Sequence, residues 1–298
     1  MQSAKGNCLF VAEVSSNHGS DLARAFDFID TAAAIGCGAV KFQLFKIDQL
    51  FAPEILSHSE LHRKRKAWEL PVQFLPKLAE RCKKRKILFC CTPFYLEAVD
   101  ELLPFVDFFK VASYELLWND LLAACAETQK TVVLATGMAN MFEILGAVRT
   151  LKKNGSANPI LLHCTSGYPT PHNQANLAAI QTIRESTGCR VGWSDHTVDP
   201  AVIYRAVHHW KSEMVEFHLD LDGQGDEFKT GHCWLPDQIQ TVIENIGKGF
   251  EADGNGIKEP VPSELPDRIW RADPEDGLRP FKNIRDEFAD KYREDHLK

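Results

Sequence analysis

Residues 191–220 read VGWSDHTVDPAVIYRAVHHWKSEMVEFHLD, and they contain the pattern on which the fold prediction rests. Two short apolar runs, each leading into a histidine, flank a segment whose apolar residues have helical spacing. The apolar runs have the length of strands that are covered on both faces in a parallel sheet. The stretch therefore predicts a strand–helix–strand unit, with His196 near the end of one strand and His218 near the end of the next.

The same alternation of short apolar runs and longer amphipathic segments extends along most of the chain. Strand candidates occupy residues 8–15, 39–45, 87–94, 108–114, 131–137, 159–166, 190–196 and 214–220. Helical segments follow nearly every strand, at residues 21–36, 72–86, 96–105, 119–129, 141–155, 174–187, 201–210 and 235–249. Eight such units in series predict an α/β protein with one (β/α)8 TIM barrel over residues 1–250. A doubly wound open sheet is the alternative, but no GxGxxG motif follows the first strand, which disfavours its nucleotide-binding form.

Two segments fall outside the regular alternation. Residues 46–70 form the longest insertion, and its HRKRK run is typical of a solvated charged face. Residues 251–298 are rich in Pro, Gly and Asp, which predicts a C-terminal tail that is extended rather than part of the core. The end of that tail, residues 281–295, is predicted to be a helix that has on one side Phe281, Ile284, Phe288 and Tyr292.

The composition excludes several classes of partner. Of the 298 residues 44% are hydrophobic, and the formal net charge is −7, so there is no basic field to bind nucleic acid. No run approaches the roughly 18 apolar residues of a membrane span, and the first residues lack the features of a signal peptide. The nine cysteines are scattered without a CxxC pair, as in a reduced protein. We therefore expect a cytoplasmic protein with no nucleic-acid and no membrane partner.

Polar residues collect at the carboxyl ends of the predicted strands, where the chemistry of a βα barrel takes place. They are Glu13, Asn17, His18, Gln43, Thr92, Ser113, Glu115, Thr136, Thr165, Ser166, Tyr168, Ser194, Asp195 and Glu216. Lys41 and Lys110 lie within otherwise apolar runs, where a lysine without an anionic partner is costly. Two such lysines beside several hydroxyl groups predict a site for a phosphate or a carboxylate. The alternative is that each lysine pairs with a nearby glutamate as part of the core.

His196 and His218 occupy the same relative place on consecutive predicted strands. One histidine at a strand end is usually a hydrogen-bonded core residue, but two in corresponding positions predict a pair of metal ligands. Imidazoles with carboxylates nearby suit Mn²⁺, Fe²⁺, Co²⁺ or Zn²⁺. His163 and His232 compete with this pair as ligands.

Eight short motifs occur in an order that is specific to one family. They read VAEVSSNHGSDL, AVKFQ, CTPF, FKVASYE, ATGM, LLHCTSGYPTP, SDHT and EFHLD, between about residues 9 and 249. Together they closely resemble the N-acetylneuraminate (sialic acid) synthase family. The resemblance implies a transferase that condenses phosphoenolpyruvate with a hexosamine such as N-acetylmannosamine, giving a nine-carbon 2-keto-3-deoxy acid and phosphate. It also implies a divalent metal, usually Mn²⁺, with Mg²⁺ or Co²⁺ as alternatives.

The resemblance also implies roles for individual positions. The residues that would bind phosphoenolpyruvate are Lys41, Thr92, Lys110, Ser113, Ser166 and Ser194. The catalytic groups, which would position the sugar or move protons, are Glu13, Gln43, Glu115, Tyr168 and Glu216. His196 and His218 match the two protein ligands of the metal, and Asp226 matches a sugar-binding aspartate after the last strand.

The chain also departs from the family pattern. Ala135 stands where many members have a serine, so it lacks a hydroxyl that would face phosphoenolpyruvate, and the adjacent Thr136 is expected to point to the other side of the strand. We expect the family's C-terminal antifreeze-like domain to be absent. In the family that domain comes from the neighbouring subunit of a dimer and offers an arginine to the sugar's acyl group. A homodimer is expected here too, with Arg271 or Arg279 of the tail as a substitute.

These departures leave two alternatives to a sialic-acid-type synthase. One is another phosphoenolpyruvate-dependent aldose condensation that yields a 2-keto-3-deoxy sugar acid. The other is a non-catalytic barrel that binds the sugar or phosphoenolpyruvate without turnover. The retained pairs of histidines and lysines favour an enzyme, because binding alone does not need a metal beside a carbonyl group.

Overall fold

Eight parallel strands close into a barrel. The computed structural model describes residues 8–285 together with residues 287 and 289. The strands are β1 (Leu9–Glu13), β2 (Ala39–Leu44), β3 (Leu88–Pro93), β4 (Phe108–Val111), β5 (Thr131–Ala135), β6 (Ile160–His163), β7 (Arg190–Asp195) and β8 (Met214–Leu219). Each strand pairs with the next, β8 pairs back with β1, and a two-residue strand, β9 (Cys233–Trp234), adds to β8. The predicted TIM barrel is confirmed, and closure of the sheet excludes the doubly wound alternative.

Helices follow the strands on the outside of the barrel, as predicted. They are α1 (Leu22–Ala34), α2 (Ile47–Leu50), α3 (Pro53–His58), α4 (Glu60–Lys64), α5 (Leu75–Arg85), α6 (Glu97–Leu102), α7 (Asn119–Glu127), α8 (Met141–Lys153), α9 (Ala179–Thr187), α10 (Pro200–Tyr204), α11 (Asp226–Thr230) and α12 (Pro236–Ala252). The predicted helix at 174–187 begins only at Ala179, because Asn176 adopts a left-handed φ of 45° that a right-handed helix cannot contain. The predicted helix at 201–210 is α10 followed by a π-helical turn, Arg205–His209.

The barrel interior is apolar at one end and polar at the other. Its apolar layer consists of Leu9, Val11, Ala39, Cys90, Phe108, Val133, Ala135, Ile160, Leu162, Cys164 and Met214. Side chains alternate between the two faces of a strand, so the next inward residue along β2 is Lys41, along β4 Lys110 and along β8 Glu216. The strand period therefore places charged groups in the barrel interior immediately beyond the apolar layer.

The insertion at 46–70 is folded and attached to the barrel. It contains α2, α3, α4 and a 3-10 turn, Arg65–Trp68. The Oγ of Ser20, in the loop after β1, lies 3.0 Å from the carbonyl oxygens of both Ala67 and Glu69, which share its one O–H donor. The carboxylate of Glu69 in turn accepts a hydrogen bond from the backbone N–H of Ile47 at 2.8 Å, which ties the two ends of the insertion together.

The described residues from Ala252 onward form a second compact unit. Its described elements are short 3-10 turns at Pro262–Glu264, Arg268–Trp270 and Lys282–Ile284. Within this unit the Nε of Arg271 donates to the carbonyl oxygen of Arg268, and its guanidinium lies 5.1 Å from the ring centre of Phe281. The helix predicted at 281–295 falls largely outside the described residues, as do Phe288 and Tyr292.

All nine cysteines are buried and unpaired, which agrees with the prediction of reduced thiols. Within the described part of the chain, no helix combines the length and the apolar character needed to cross a bilayer.

Candidate active site

A cavity of about 660 Å³ opens at the carboxyl ends of the strands. Its volume lies within the roughly 300–1,000 Å³ range of small-molecule sites. The predicted site residues that line it are Lys41, Gln43, Lys110, Ser113, Glu115, Tyr168, Ser194, His196, Glu216 and His218. The structure thus gathers most of the predicted residues, which come from five different strands or the loops after them, around one space.

The two lysines belong to one buried charge network. The Nζ of Lys41 forms an ion pair with Glu13 and lies 3.7 Å from Oε1 of Glu216. The Nζ of Lys110 lies 3.3 Å from the same Oε1. Both alternatives raised by the sequence are therefore present together: each lysine has a glutamate partner, and each also faces the cavity.

Charge pairing holds this network ionised. Burial on its own lowers the pKa of Lys41, but the carboxylates of Glu13 and Glu216 outweigh it and raise the pKa above its ordinary value. Burial likewise raises the pKa of Glu216, and the ammonium groups of Lys110 and Lys41 outweigh it and keep the pKa below its usual range. At neutral pH an ammonium group is therefore fixed at the floor of the cavity.

Two predicted residues lie behind this lining and support it. Glu13 is fully buried at the end of β1 and accepts a hydrogen bond from Nε2 of Gln43 at 2.6 Å. Thr92 is also fully buried, and its hydroxyl accepts from Nζ of Lys41 at 3.4 Å. They reach a bound molecule only through Lys41 and Gln43.

Hydroxyl groups converge beside the lysines at the end of β5. The backbone N–H of Gly137 donates to Oγ of Ser113 at 3.0 Å. A Cβ at Gly137 would lie 2.3 Å from Oγ of Ser166 and 2.8 Å from Oγ of Ser113, so only glycine fits. The Ser166 hydroxyl is buried and has no hydrogen-bond partner among the described residues. A buried donor without an acceptor is costly, which fits a site that binds the oxygens of an anion.

The departure at β5 takes the predicted form. Ala135 lines the cavity with its methyl group. The hydroxyl of Thr136 instead donates to the carbonyl oxygen of Leu162 at 3.1 Å and does not line the cavity. Successive strand residues face opposite ways, so Thr136 does not replace the missing hydroxyl.

His196 and His218 lie side by side, with ring centres 5.4 Å apart. The Nδ1 of His196 donates to the carbonyl oxygen of Thr165 at 2.9 Å, and that of His218 donates to Oε2 of Glu227 at 2.8 Å. Metal-binding histidines typically use one ring nitrogen in this way, which fixes the tautomer and leaves the other lone pair for the metal. Burial, with the neighbouring His218, lowers the pKa of His196 to about 3, so its imidazole is neutral. The residues present therefore fit a divalent cation.

The structure brings in one residue that the sequence did not single out, Glu227. Its Oε1 accepts from Ser15 Oγ at 2.5 Å, and its Oε2 accepts from His218. Asp226, the predicted residue, instead pairs with Lys229 at 3.2 Å, and its side chain is 75% exposed. Glu227 lines the cavity and Asp226 does not. The sequence contains two successive acidic residues in this loop, but the direction of each side chain depends on the orientation of α11 in the folded chain.

The competing histidines differ in their surroundings. His163 donates from Nε2 to the carbonyl oxygen of Ala175 at 3.0 Å and packs against Trp193, so it belongs to the core. His232 lies against His218, with ring centres 4.8 Å apart. The donor atoms of His218, Glu227, His232 and Cys233 all lie within 4.8 Å of one another. His232 therefore lies next to one of the predicted metal ligands, His218.

Tyr168 and Glu115 complete the lining beside these groups. The Tyr168 ring lies 4.3 Å from the ring centre of His196 and shields that imidazole. Burial raises the pKa of Glu115 to about 7, partly opposed by the positive charge of Lys110. The Oε2 of Glu115 has no hydrogen-bond partner within the described chain. A carboxyl group of this kind can exchange a proton near neutral pH.

The outer wall of the cavity comes from the insertion. Phe51, His62, Arg65 and Trp68 line the same space as the lysines and histidines. The prediction of a solvated charged face for HRKRK is wrong for His62 and Arg65, which are half-buried, while Arg63, Lys64 and Lys66 are exposed. The helical geometry of α4 and the following 3-10 turn directs only some of these side chains to solvent.

The chain is similar to known proteins along most of its length. The profile described as the NeuB family matches residues 28–258. A protein named N,N'-diacetyllegionaminic acid synthase from Campylobacter jejuni is 35% identical over 272 residues, covering 86% of this chain and 80% of that relative. A protein of the same name from Legionella pneumophila is 30% identical over 279 residues, covering 88% and 77%. The crystal structure of N-acetylneuraminic acid (sialic acid) synthetase from Leptospira borgpetersenii in complex with citrate has a TM-score of 0.77 and 32% identity, covering 88% of this chain and 91% of that one.

Proposed function

The chain belongs to the NeuB family, and from this membership and the geometry of the cavity we propose that it is a transferase that condenses phosphoenolpyruvate with an N-acylated hexosamine. The family resemblance carried by the sequence motifs is confirmed. The observation that supports the proposed activity is a single cavity lined by two lysines, several hydroxyls and two histidines whose Nε2 atoms are left for a metal.

Phosphoenolpyruvate binds, in this proposal, at the floor of the cavity. Its phosphate and carboxylate oxygens accept from Lys41 and Lys110 and from the hydroxyls of Ser113, Ser166 and Ser194. The glutamates behind the lysines fix the direction of each ammonium group before the substrate arrives. Because these donors are already in position, they can stabilise the negative charge that develops during the reaction without having to rearrange.

His196 and His218 are the residues that would hold the divalent cation, which we propose to be Mn²⁺, with Mg²⁺ or Co²⁺ as substitutes. A cation held there would supply a Lewis acid for the carbonyl oxygen of the sugar aldehyde. Tyr168 covers one face of His196, so the pair is open to the cavity rather than to bulk solvent. Glu227 fixes the ring orientation of His218 through its hydrogen bond.

In the proposed reaction, C3 of phosphoenolpyruvate attacks the aldehyde carbon of the open-chain sugar, a C–C bond forms, and the aldehyde oxygen takes up a proton. Water then adds at C2 and loses one proton. The C2–O bond to phosphate breaks as the hydroxyl on C2 becomes the keto group, and its proton leaves with the phosphate. Glu115 is the group we assign to take the proton from water, because its pKa near 7 and its unpartnered Oε2 suit a base in the cavity. Gln43 and Tyr168 position the sugar.

We propose an acceptor of the N-acetylmannosamine type, which makes the product a nine-carbon 2-keto-3-deoxy acid of the sialic acid type. Two relatives bear the name of legionaminic acid synthases, so a related diacylated hexosamine is the nearest alternative acceptor. The homodimer and the cytoplasmic location expected from the sequence stay predictions.

The test is release of phosphate from phosphoenolpyruvate with Mn²⁺ and a panel of hexoses and hexosamines. We expect turnover with an N-acylated hexosamine and none without a sugar. Turnover with an unacylated aldose alone would support the other condensation, and binding of phosphoenolpyruvate without turnover on any sugar would support the non-catalytic barrel.

A further inference from the structure

Arg65 is held in the outer wall of the cavity by aromatic rings. Its guanidinium carbon lies 5.5 Å from the ring centre of Phe51 and 5.5 Å from that of Trp68. His62 packs edge-on against Phe51 at 4.7 Å and uses its Nδ1 in a hydrogen bond with Ser59. These contacts orient the guanidinium plane without using its donors, because an arginine over an aromatic ring interacts through its face.

At least one donor of Arg65 is left unsatisfied by the part of the chain that the structure describes. Its Nε is buried and has no hydrogen-bond acceptor among the described residues. Lys41 and Lys110, the lysines that line the same cavity, each have a glutamate partner, whereas no carboxylate of the described chain pairs with Arg65. A buried donor left without an acceptor is costly, so a partner oxygen from a bound molecule is the simplest compensation.

The surroundings of Arg65 indicate the kind of group that binds. A guanidinium presents its N–H groups as a planar fork suited to a carbonyl or carboxylate oxygen. The rings of Phe51 and Trp68 line the same cavity and supply apolar surface against which a methyl group can pack. A carbonyl oxygen next to a methyl group is the structure of a small N-acyl substituent. The floor of the cavity, with Lys41 and Lys110, is left for phosphoenolpyruvate.

We propose that Arg65 binds the acyl oxygen of the acceptor sugar, with Phe51 and Trp68 packing against the acyl methyl, and so selects N-acylated acceptors. This inference rests on the proposed function of the same cavity. Arg65 belongs to the barrel unit, and the Ser20 hydroxyl, shared between the carbonyl oxygens of Ala67 and Glu69, fixes the turn that carries it. The role that the sequence assigned to a tail arginine is thereby filled from the barrel's own insertion.

The test compares Arg65→Met and Arg65→Lys with Lys64→Met, which removes the adjacent cation that pairs with Glu60 on the surface. For Arg65→Met we expect KM for N-acetylmannosamine to rise by about ten- to a hundredfold, the effect of losing one charge-assisted hydrogen bond, with KM for phosphoenolpyruvate unchanged. Arg65→Lys should recover only part of the loss, because it lacks the planar fork. Lys64→Met should behave as the wild type.

Mannose, which lacks the acyl group, provides the decisive comparison. Mannose should bind the wild type and Arg65→Met equally weakly. The preference for N-acetylmannosamine over mannose should therefore be much smaller in the variant than in the wild type. An unchanged KM for N-acetylmannosamine, an equal loss for mannose, or a raised KM for phosphoenolpyruvate would each overturn the assignment. A wild-type preference for the 6-phosphorylated sugar that disappears in Arg65→Met would show that Arg65 binds a phosphate instead.

A second readout separates this inference from the proposed function. Calorimetric titration of N-acetylmannosamine into protein saturated with phosphoenolpyruvate, without metal, measures binding in the absence of turnover. Weaker binding to Arg65→Met than to the wild type supports the assignment even if no sugar is turned over, in which case the proposed activity alone fails. Equal binding to the two proteins overturns the role of Arg65 whether or not the wild type is active.

Discussion

Glu227 accepts a hydrogen bond from Nδ1 of His218 at 2.8 Å, and this contact ties the loop after β8 to a predicted metal ligand. The same carboxylate accepts from Ser15 Oγ, in the loop after β1, at 2.5 Å. Two loops that are far apart in the chain thus meet at the group that orients the imidazole. A carboxylate behind a ligating histidine fixes its tautomer and strengthens its lone pair.

We expect Glu227→Gln to weaken binding of Mn²⁺ by about ten- to a hundredfold, the usual effect of removing such a supporting carboxylate. This affinity can be measured without turnover by titrating Mn²⁺ into the protein and monitoring the electron paramagnetic resonance signal of the free ion. Asp226→Asn is the matched control, because that neighbouring carboxylate is exposed and pairs with Lys229. Equal affinities in wild type and Glu227→Gln would show that the contact does not serve the metal.

Substitution of His196 or His218 by Ala should abolish turnover while the barrel still folds, because both side chains act at its open end. Each variant should also bind less than one Mn²⁺ per chain under conditions that saturate the wild type. His232→Ala is informative beside them, since His232 lies against His218 but does not line the cavity. Full activity after loss of His196 or His218, or of wild type after exhaustive chelation, would contradict the metal assignment.

Lys41→Met and Lys110→Met should each weaken the binding of phosphoenolpyruvate by about ten- to a hundredfold, as expected for the loss of one charge-assisted contact. Lys41→Met should lower the free energy of unfolding more than Lys110→Met does. Lys41 pairs with both Glu13 and Glu216, and breaking a buried ion pair costs about 3–5 kcal/mol. Loss of Lys110, by contrast, leaves Glu216 next to Lys41. Calorimetry with phosphoenolpyruvate and urea unfolding would separate the two quantities. Unchanged affinity in both variants would make the lysines purely structural.

The raised pKa of Glu115 predicts a pH dependence of activity. If its carboxylate takes a proton from water, kcat/KM should rise with pH through about 7, the pKa of the folded protein. Glu115→Gln cannot ionise, so that rising limb should disappear from its profile. A limb of unchanged position in Glu115→Gln would assign the proton transfer to another group.

The same shift has a consequence for stability. The folded pKa of about 7 lies above the ordinary 4.5, so the folded protein holds this proton more tightly than the unfolded chain does. The resulting stabilisation is complete below about pH 4.5 and is lost as the pH rises through about 7. Glu115→Gln stays neutral throughout, so its Tm should gain on that of the wild type as the pH increases over this interval. A constant difference in Tm across that interval would contradict the burial of this carboxyl group.

The number and order of the βα units could be predicted from the sequence. A strand or a helix is recognised from residues within a few positions of one another, and each of the eight strands lies within its predicted segment. The carboxyl ends of parallel barrel strands all meet at one end, so it followed that Lys41, Lys110 and Glu216 would be neighbours. The family resemblance rests on the same strand-end residues.

Which side chains contact those strand-end residues was decided only by the tertiary structure. Whether Asp226 or Glu227 turns inward depends on α11 and on a contact with Ser15 more than two hundred positions away. The HRKRK run looked uniform, yet Arg65 enters the cavity wall because the insertion packs back onto the barrel through Ser20. Periodicity is a local property of the chain, whereas the direction of a loop side chain is set by distant residues that compete for the same space and the same hydrogen bonds.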